Sequence, residues 1–372
     1  MDNKSLHIVC FDVPYPVSHG GFFDLFYKFK ALHEAGVIIY LHCFQYGREQ
    51  QAELNKYCKE VNYYDRKNYK GASFQLPYIV SSRINTNLFK KLSQDDYPVL
   101  LEGTHCTYLL YKNLFPQRNI LYRLHNIEHI YYKHLFQHER SGLKKVYYFF
   151  ESLLLKKYEK KVASRASVVL PVSQNDATKL KDYCQHANIK YLPLFVPFEE
   201  IKSLRGRGNY LLYHGNLSVA ENQQTVYWLL KVLSPLDMPL IVAGRNPPDK
   251  LQRFIGRFAN CELNINPTDK ELEELIQQAH INIITSFNKT GIKLKLLHAL
   301  FAGRHCIANS AAVPYGQFKK CCHIANTAGE LKERISYLKN LPFSQEDIDL
   351  RKSILLRHFD NAVNAQTLSA LL

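Results

Sequence analysis

The chain reads as an α/β protein of two Rossmann-like domains, and three observations carry that reading. Its 372 residues are too many for one compact core and comfortable for two. Short β-rich runs alternate with helical stretches, the rhythm of parallel sheets covered on both faces. That rhythm breaks once, at Pro193-Leu-Phe-Val-Pro-Phe198, and restarts at Tyr210.

In chain order, a short polar start leads into the strand Leu6–Phe11, followed by a helical stretch over 22–34. Further β-rich runs lie at 37–44, 99–101, 119–124 and 167–172, with a long helical pattern over 143–164. Past the break comes a loop rich in Gly and positive charge, 203–209, and then strands at 210–213, 240–243, 281–285 and 305–308. The boundary falls between 196 and 208, giving an N-terminal domain over 1–196 and a C-terminal domain over 209–343. Ser173/Asp176, Ser218/Glu221 and Thr268/Glu271 have capping-box spacing at three helix starts. Such strand-to-helix turns present backbone N–H groups and are where open α/β sheets gather ligands.

A hydrophobic content of 46% with 22% charged residues excludes low-complexity disorder for most of the length. A net charge of +15 favours a polyanionic partner. With no arginine-rich tail and no nucleic-acid module, phosphorylated ligands and an anionic membrane surface rank above nucleic acid, which is not expected as a partner. The stretch 140–161 is basic, aromatic and amphipathic. It either rests on anionic lipid or is a domain helix with its lysines in water. Nine cysteines without a CxxC pair read as reduced thiols of a cytoplasmic protein. There is no signal-peptide pattern and no apolar run of the ~20 residues a membrane span needs, so any membrane contact is expected to be peripheral.

Four places carry candidate chemistry. Pro14–Gly21 joins strand one to helix one, and Gly20 and Gly21 let backbone approach a ligand; the alternative is a tight turn. At the end of an apolar strand stand Arg123, His125, Asn126, Glu128 and His129. His125 could move a proton near neutrality, and Asn126 and Glu128 could bind hydroxyls; the alternative is a solvated helix cap. No metal site is expected there, because a strand-to-loop position does not hold His125 and His129 on one helical face. In the second domain, Tyr213-His-Gly215-Asn216-Leu-Ser218 and Ala243-Gly244-Arg245 form two small turns suited to an anion. Most telling is Thr290-Gly291-Ile292-Lys293-Leu-Lys295-Leu-Leu-His298, running on to Gly303. Leu294, Leu297 and Phe301 anchor a helix opening at Gly291, whose free N–H groups with Lys293 or Lys295 suit a diphosphate. An amphipathic helix with solvated lysines is the plainer alternative.

In this order and at this spacing, the four places resemble the retaining glycosyltransferases of family 4, of GT-B fold. Gly20-Gly21 is similar to the family's glycine loop, His125, Asn126 and Glu128 to its His-Asn-x-Glu segment, and Gly215-Asn216-Leu217 to its phosphate turn. The resemblance implies an interdomain cleft, with C-terminal helices over 344–372 packing back on the N-domain. It also implies transfer of a sugar from a UDP- or GDP-linked donor to a glycan or lipid-linked acceptor, without a metal or other cofactor. On this reading His125, Gly21 and Thr290 are catalytic. Gly20, Gly215, Asn216, Gly244, Arg245, Gly291, Ile292, Lys293, Lys295 and His298 bind donor, and Asn126, Glu128 and His19 bind acceptor. Thr290 and His298 stand where the family has two glutamates, and Asn216 where many relatives have arginine. A non-catalytic sugar-binding relative, a nucleic-acid-binding protein and an epimerase are the competing readings.

Overall fold

The computed structural model describes residues 4–17, 20–67, 75–139, 141–184, 187–287, 291–313 and 316–372. They divide into two compact units, Met1–Pro197 with Phe359–Leu372 and Phe198–His358.

In the first unit, strands β1 (Ser5–Cys10), β2 (Ile38–Gln45), β3 (Glu60–Asp65), β4 (Val99–Glu102), β5 (Ile120–Leu124) and β6 (Val168–Pro171) form a sheet ordered β3-β2-β1-β4-β5-β6. Every pairing is parallel. The strands are nearly all apolar because both faces are covered. In β1, Leu6, Ile8 and Cys10 join one core cluster while Val9 joins the cluster on the other face. Helix α1 (Gly20–Glu34) supplies Leu25, Phe29 and Leu32 to the first cluster. On the other side lies a hairpin of α2 (Glu128–His138) and α3 (Gly142–Ala163). Only the second half of α3 is fully packed, through Leu155, Tyr158 and Val162. Its first half leaves Leu143 89% and Phe150 59% exposed. The chain order reverses between β1 and β4, and the carboxyl ends there are the expected place for a ligand.

In the second unit, β7 (Leu211–Asn216), β8 (Leu240–Arg245), β9 (Cys261–Ile265), β10 (Ile281–Ile284), β11 (His305–Ala308) and β12 (His323–Ile324) form a parallel sheet ordered β12-β11-β10-β7-β8-β9. After α4 (Gln174–Tyr183) in the first unit, the helices used below are α5 (Ala220–Leu233), α6 (Asp269–Gln278) and α7 (Leu294–Ala302) here, and α8 (Asn361–Ser369) at the end.

The caps differ in outcome. Thr268 and Glu271 close a reciprocal capping box on α6, and Ser173 accepts from the Asp176 N–H on α4. Ser218/Glu221 forms no box. Helix α5 begins one residue later than the motif requires, with Val219 at its cap. Ser218 instead donates to Asn216 at 2.8 Å, and Glu221 accepts from the Phe287 N–H at 2.8 Å.

Residues 344–358 fall in the second unit, so only 359–372 belong to the first. Arg351 holds the former in place, its buried guanidinium donating to the carbonyls of Leu300, Gly303 and Arg304 at the end of α7. Helix α8 lies against α1, and the Asn361 amide pairs with both backbone groups of Val196 at 3.0 and 2.8 Å.

Candidate active site

In the first unit the site grows from a buried charge cluster. The sequence F-F-D-L-F-Y-K places Asp24 and Lys28 four residues apart among apolar side chains, so both lie on the helix face that turns into the sheet. Lys28 Nζ sits 2.8 Å from Asp24 and 2.7 Å from Glu102 at the end of β4, all fully buried. Arg123 of β5 donates to both Asp24 oxygens, at 3.0 and 2.8 Å, and to the carbonyls of Leu192 and Pro193. Two carboxylates thus face an ammonium and a guanidinium. Arg123 holds this cluster together and does not reach outward, contrary to its place in the sequence reading. Strand geometry is the reason: it lies inside β5, buried on both faces, and His125 is the first polar side chain past the strand end.

His125 Nε2 lies 2.9 Å from Glu102 Oε2 and 3.9 Å from Asp24. Asp24, Glu102 and His125 could be taken for metal ligands, since their donor atoms lie within 4.8 Å of one another. The Lys28 ammonium already meets both carboxylates. Desolvation opposes ionisation of Asp24 and Glu102, but Arg123 and Lys28 outweigh it at Asp24, and Lys28 and His125 at Glu102, and both carboxyls stay below their usual range.

Gly20 and Gly21 open α1, and a Cβ on Gly21 would stand 3.2 Å from the Phe11 ring. The Phe11 ring in turn meets His125 edge-on at 6.0 Å. Asn126 is half-buried in the loop after β5. Glu128 is buried at the first turn of α2, where burial and then Glu159 push its carboxyl up to about 8. Glu159 of α3 caps α2, accepting from the N–H groups of Glu128 at 2.7 Å and His129 at 3.2 Å. It also pairs with His129 Nδ1 at 2.6 Å. His19 and Thr290 lie outside the described residues.

In the second unit the turns after β7 and β8 stand side by side, Gly215 in register with Gly244 and Asn216 with Arg245. A Cβ on Gly244 would fall 2.0 Å from the Gly215 carbonyl oxygen, so only glycine fits there. Asn216 accepts from the Ser218 N–H at 3.0 Å, and its carbonyl accepts from Asn222 at 2.8 Å. Arg245 is half-exposed and pairs with Asp269 at 3.0 Å.

Helix α7 opens at Leu294 with Lys293 at its cap, three residues after the start expected from sequence. Gly291 explains the delay, because its φ of 65° is left-handed and ends any continuous helix there. Ile292 is half-buried between them. The N–H groups of Leu294 and Lys295 occupy the first turn, where no intrahelical acceptor precedes them. Lys295 Nζ lies 5.0 Å from the centre of the Tyr213 ring. Among the described residues it makes no hydrogen bond or ion pair. Burial lowers its ammonium to about 8, although Glu221 pulls the other way.

Beside it stands His214, buried, with an Nε2 that has no hydrogen-bond partner among the described residues. Its ring meets that of His298 edge-on at 6.2 Å, and His298 also contacts Phe198 at 5.5 Å. Burial lowers both imidazoles, and for His214 the charges of His298 and Lys295 add to this. Sequence reasoning missed His214, although its place next to Gly215 at a strand end was a usable signal.

Residues 208–340 match the family described as Glycosyl transferases group 1. Sucrose-phosphate synthase from Thermosynechococcus elongatus superposes with a TM-score of 0.72 at 11% identity, covering 99% of this chain and 98% of that one. An α,α-trehalose 6-phosphate synthase from Burkholderia multivorans gives 0.66 at 12% identity, covering 99% and 96%. The fold is GT-B, two Rossmann-like units each built on a six-stranded parallel sheet. The match to Glycosyl transferases group 1 thus lies within the second unit of a GT-B fold. In sequence the chain is 29% identical over 312 residues to the "Uncharacterized 44.6 kDa protein in cps region" of Klebsiella pneumoniae, 79% of each chain being covered.

Proposed function

We propose that this protein transfers a sugar, with retention, from a nucleotide-diphosphate donor to a glycan or lipid-linked acceptor in cell-surface polysaccharide synthesis. One observation carries the donor half of the reading: Lys295, a half-buried cation that makes no ion pair among the described residues, stands at the N-terminal turn of α7 beside His214 Nε2, which has no hydrogen-bond partner among them. A diphosphate satisfies all three at once, the cation, the first-turn N–H groups and the imidazole. Gly215, Asn216, Gly244, Arg245, Gly291, Ile292 and Lys293 line the same carboxyl ends of the sheet. His298 is assigned to the ribose and Thr290 to the sugar. Stabilising the leaving diphosphate is then the main catalytic contribution, supplied by dipoles and cations of the chain itself. The leaving phosphate takes the acceptor proton, with His125 and Gly21 at the transferred sugar and Asn126, Glu128 and His19 toward the acceptor.

The relative from a cps region supports polysaccharide synthesis as the setting. No described helix is long and apolar enough to cross a membrane. The exposed apolar first half of α3, together with the lysines along the same helix, supports peripheral contact with an anionic membrane surface, on the cytoplasmic side in this reading.

Binding of UDP, GDP and ADP, and of their sugars, to the wild type and to Lys293→Ala/Lys295→Ala tests the donor site. At least one nucleotide should bind, and the double variant should weaken it about tenfold or more, roughly 1.4 kcal/mol. Unchanged affinity removes the site. Nucleotide binding without sugar transfer to any acceptor favours the non-catalytic relative, a reading motivated by the neutral His298 where the family has an acid.

A further inference from the structure

At the carboxyl ends of the first sheet, two arginines converge on one hydroxyl. Arg66, the residue after β3, donates through Nε to Ser82 Oγ at 3.1 Å, and Arg83 NH1 lies 3.5 Å from the same oxygen. Bringing two guanidinium groups together in a half-buried place is unfavourable unless an anion answers them. None does among the described residues. Arg83 is buried, and its other hydrogen bonds go to the neutral carbonyls of Phe11 at 2.9 Å and Ile79 at 2.8 Å. Arg66 lies instead over the faces of Tyr46 and Tyr78, at 4.0 and 5.3 Å.

The acids that act on Arg83 at longer range are Asp12 and Glu128, and burial pushes each toward its neutral form. Asp12 is also engaged, accepting from the N–H groups of Val13 and Tyr46 at 2.8 and 3.3 Å. His105 packs against the same Phe11, the two rings tilted and 5.2 Å apart, with a buried Nδ1 that has no partner among the described residues. Its imidazole is held well below its usual range, first by burial and then by the charges of Arg83, Arg66 and His125.

We propose that Arg66, Arg83 and His105 form an anion subsite that takes a phosphate or diphosphate group carried by the acceptor. The guanidinium N–H groups not already given to carbonyls or to Ser82 can pair with the oxygens of such a group, and His105 Nδ1 is a further buried polar atom still without a partner among the described residues. The inference rests on the reading that the acceptor enters on the His125 side. A lipid-linked diphosphate and a soluble sugar phosphate present the same chemistry here.

The test uses the full chain with inorganic pyrophosphate as probe, titrated calorimetrically while saturating UDP occupies the donor side. Wild-type protein should bind pyrophosphate under these conditions. Arg66→Gln, alone and with Arg83→Lys, should weaken that binding at least about tenfold and leave UDP affinity unchanged. Arg66→Gln alone decides the matter if the buried Arg83→Lys change impairs folding. Pyrophosphate binding that survives Arg66→Gln, or that is lost only with Lys295→Ala, overturns the proposal. Geranyl diphosphate in micelles and glucose 6-phosphate in solution then separate the two sources, the tighter and arginine-dependent ligand marking the acceptor type. If UDP fails to bind at all, the titration is made without it. Arginine-dependent pyrophosphate binding in that case keeps the subsite and rejects the donor reading.

Discussion

His125 Nε2 stands 2.9 Å from Glu102 Oε2, and the other oxygen of that carboxylate holds the Lys28 ammonium at 2.7 Å. A candidate active-site imidazole is thus oriented by a buried carboxylate that itself depends on a buried cation. Removing that cation should be costly. Lys28→Met leaves Asp24 with Arg123 and Glu102 with only the His125 imidazole, and losing one partner of a buried pair destabilises by about 3–5 kcal/mol. The pH dependence follows from the depressed carboxyls of Asp24 and Glu102. Their contribution is fully present above the unfolded-state carboxyl range and is lost as pH falls through the folded values. Without Lys28 those values rise. Acid unfolding, followed by circular dichroism, should therefore begin at higher pH in Lys28→Met than in the wild type.

Glu128 behaves in the opposite sense. Its carboxyl is raised to about 8, so the folded protein holds a proton there that the unfolded chain releases near 4.5. Stability from this group falls as pH rises between those two values. Glu128→Gln should then be more stable than the wild type at pH 7, by roughly 2–3 kcal/mol. The advantage should disappear near pH 4. Urea unfolding at both pH values measures the difference, and equal stability at pH 7 contradicts the raised carboxyl.

Parts of this site are legible in the sequence. The alternation of strands and helices places His125 just past β5 and Gly215 within the end of β7, because a doubly covered sheet demands apolar runs that stop where the ligand side begins. The Asp24–Lys28 spacing is that of one helix face, but nothing near it in sequence marks the pair as buried, because Glu102 and Arg123 reach it only through the fold. Glu102 and Glu159 are not legible, because their partners lie 23 and 30 residues away or more and meet them only through the tertiary fold. Ser218 shows why spacing alone misleads. Asn216 offers it a closer partner, and the helix moves on by one residue. Arg123 looked available because sequence cannot say that Asp24, 99 residues earlier, closes over it.

Lys295 gives the donor reading its pH signature. Burial lowers the ammonium to about 8, and a bound diphosphate favours the charged form. Nucleotide diphosphate affinity should therefore fall roughly tenfold between pH 7 and pH 9, as the fraction charged falls from about nine-tenths to one-tenth. Below pH 7 this dependence should flatten. Titrations in buffers of different ionisation enthalpy should show proton uptake near pH 8.5, and Lys295→Ala should abolish it.

Gly244 and Gly215 are registered neighbours with different tolerances. A methyl group on Gly244 meets the Gly215 carbonyl at 2.0 Å, and backbone must move to admit it. On Gly215 it would meet the Asn222 side chain at 3.3 Å, which can turn aside. Gly244→Ala should lose about 2–4 kcal/mol of stability and also weaken nucleotide binding by displacing the turn after β7. Gly215→Ala should lose under about 1 kcal/mol. Thermal unfolding of both variants compares them directly, and equal losses would falsify the close approach.

The first half of α3 exposes Leu143, Val146, Phe150 and Leu153, with Lys144, Lys145, Lys156 and Lys157 along the same helix. Aromatic contacts of Tyr132 with Tyr147 and of Phe136 with Phe149 brace this half against α2, so its outer side chains project from a fixed support. Apolar side chains entering the headgroup layer and lysines meeting anionic lipid should add their effects. Phe150→Asp/Leu153→Asp removes two large apolar groups, each worth about 1.5–3 kcal/mol when fully buried, and adds repelling charge. Sedimentation with vesicles rich in phosphatidylglycerol should show at least about a tenfold loss of partitioning for this variant, with nucleotide affinity unchanged. Raising salt should weaken wild-type binding, since the lysine contribution is screened. Equal partitioning of wild type and variant, or of anionic and neutral vesicles, would leave α3 as an ordinary domain helix with its lysines in water.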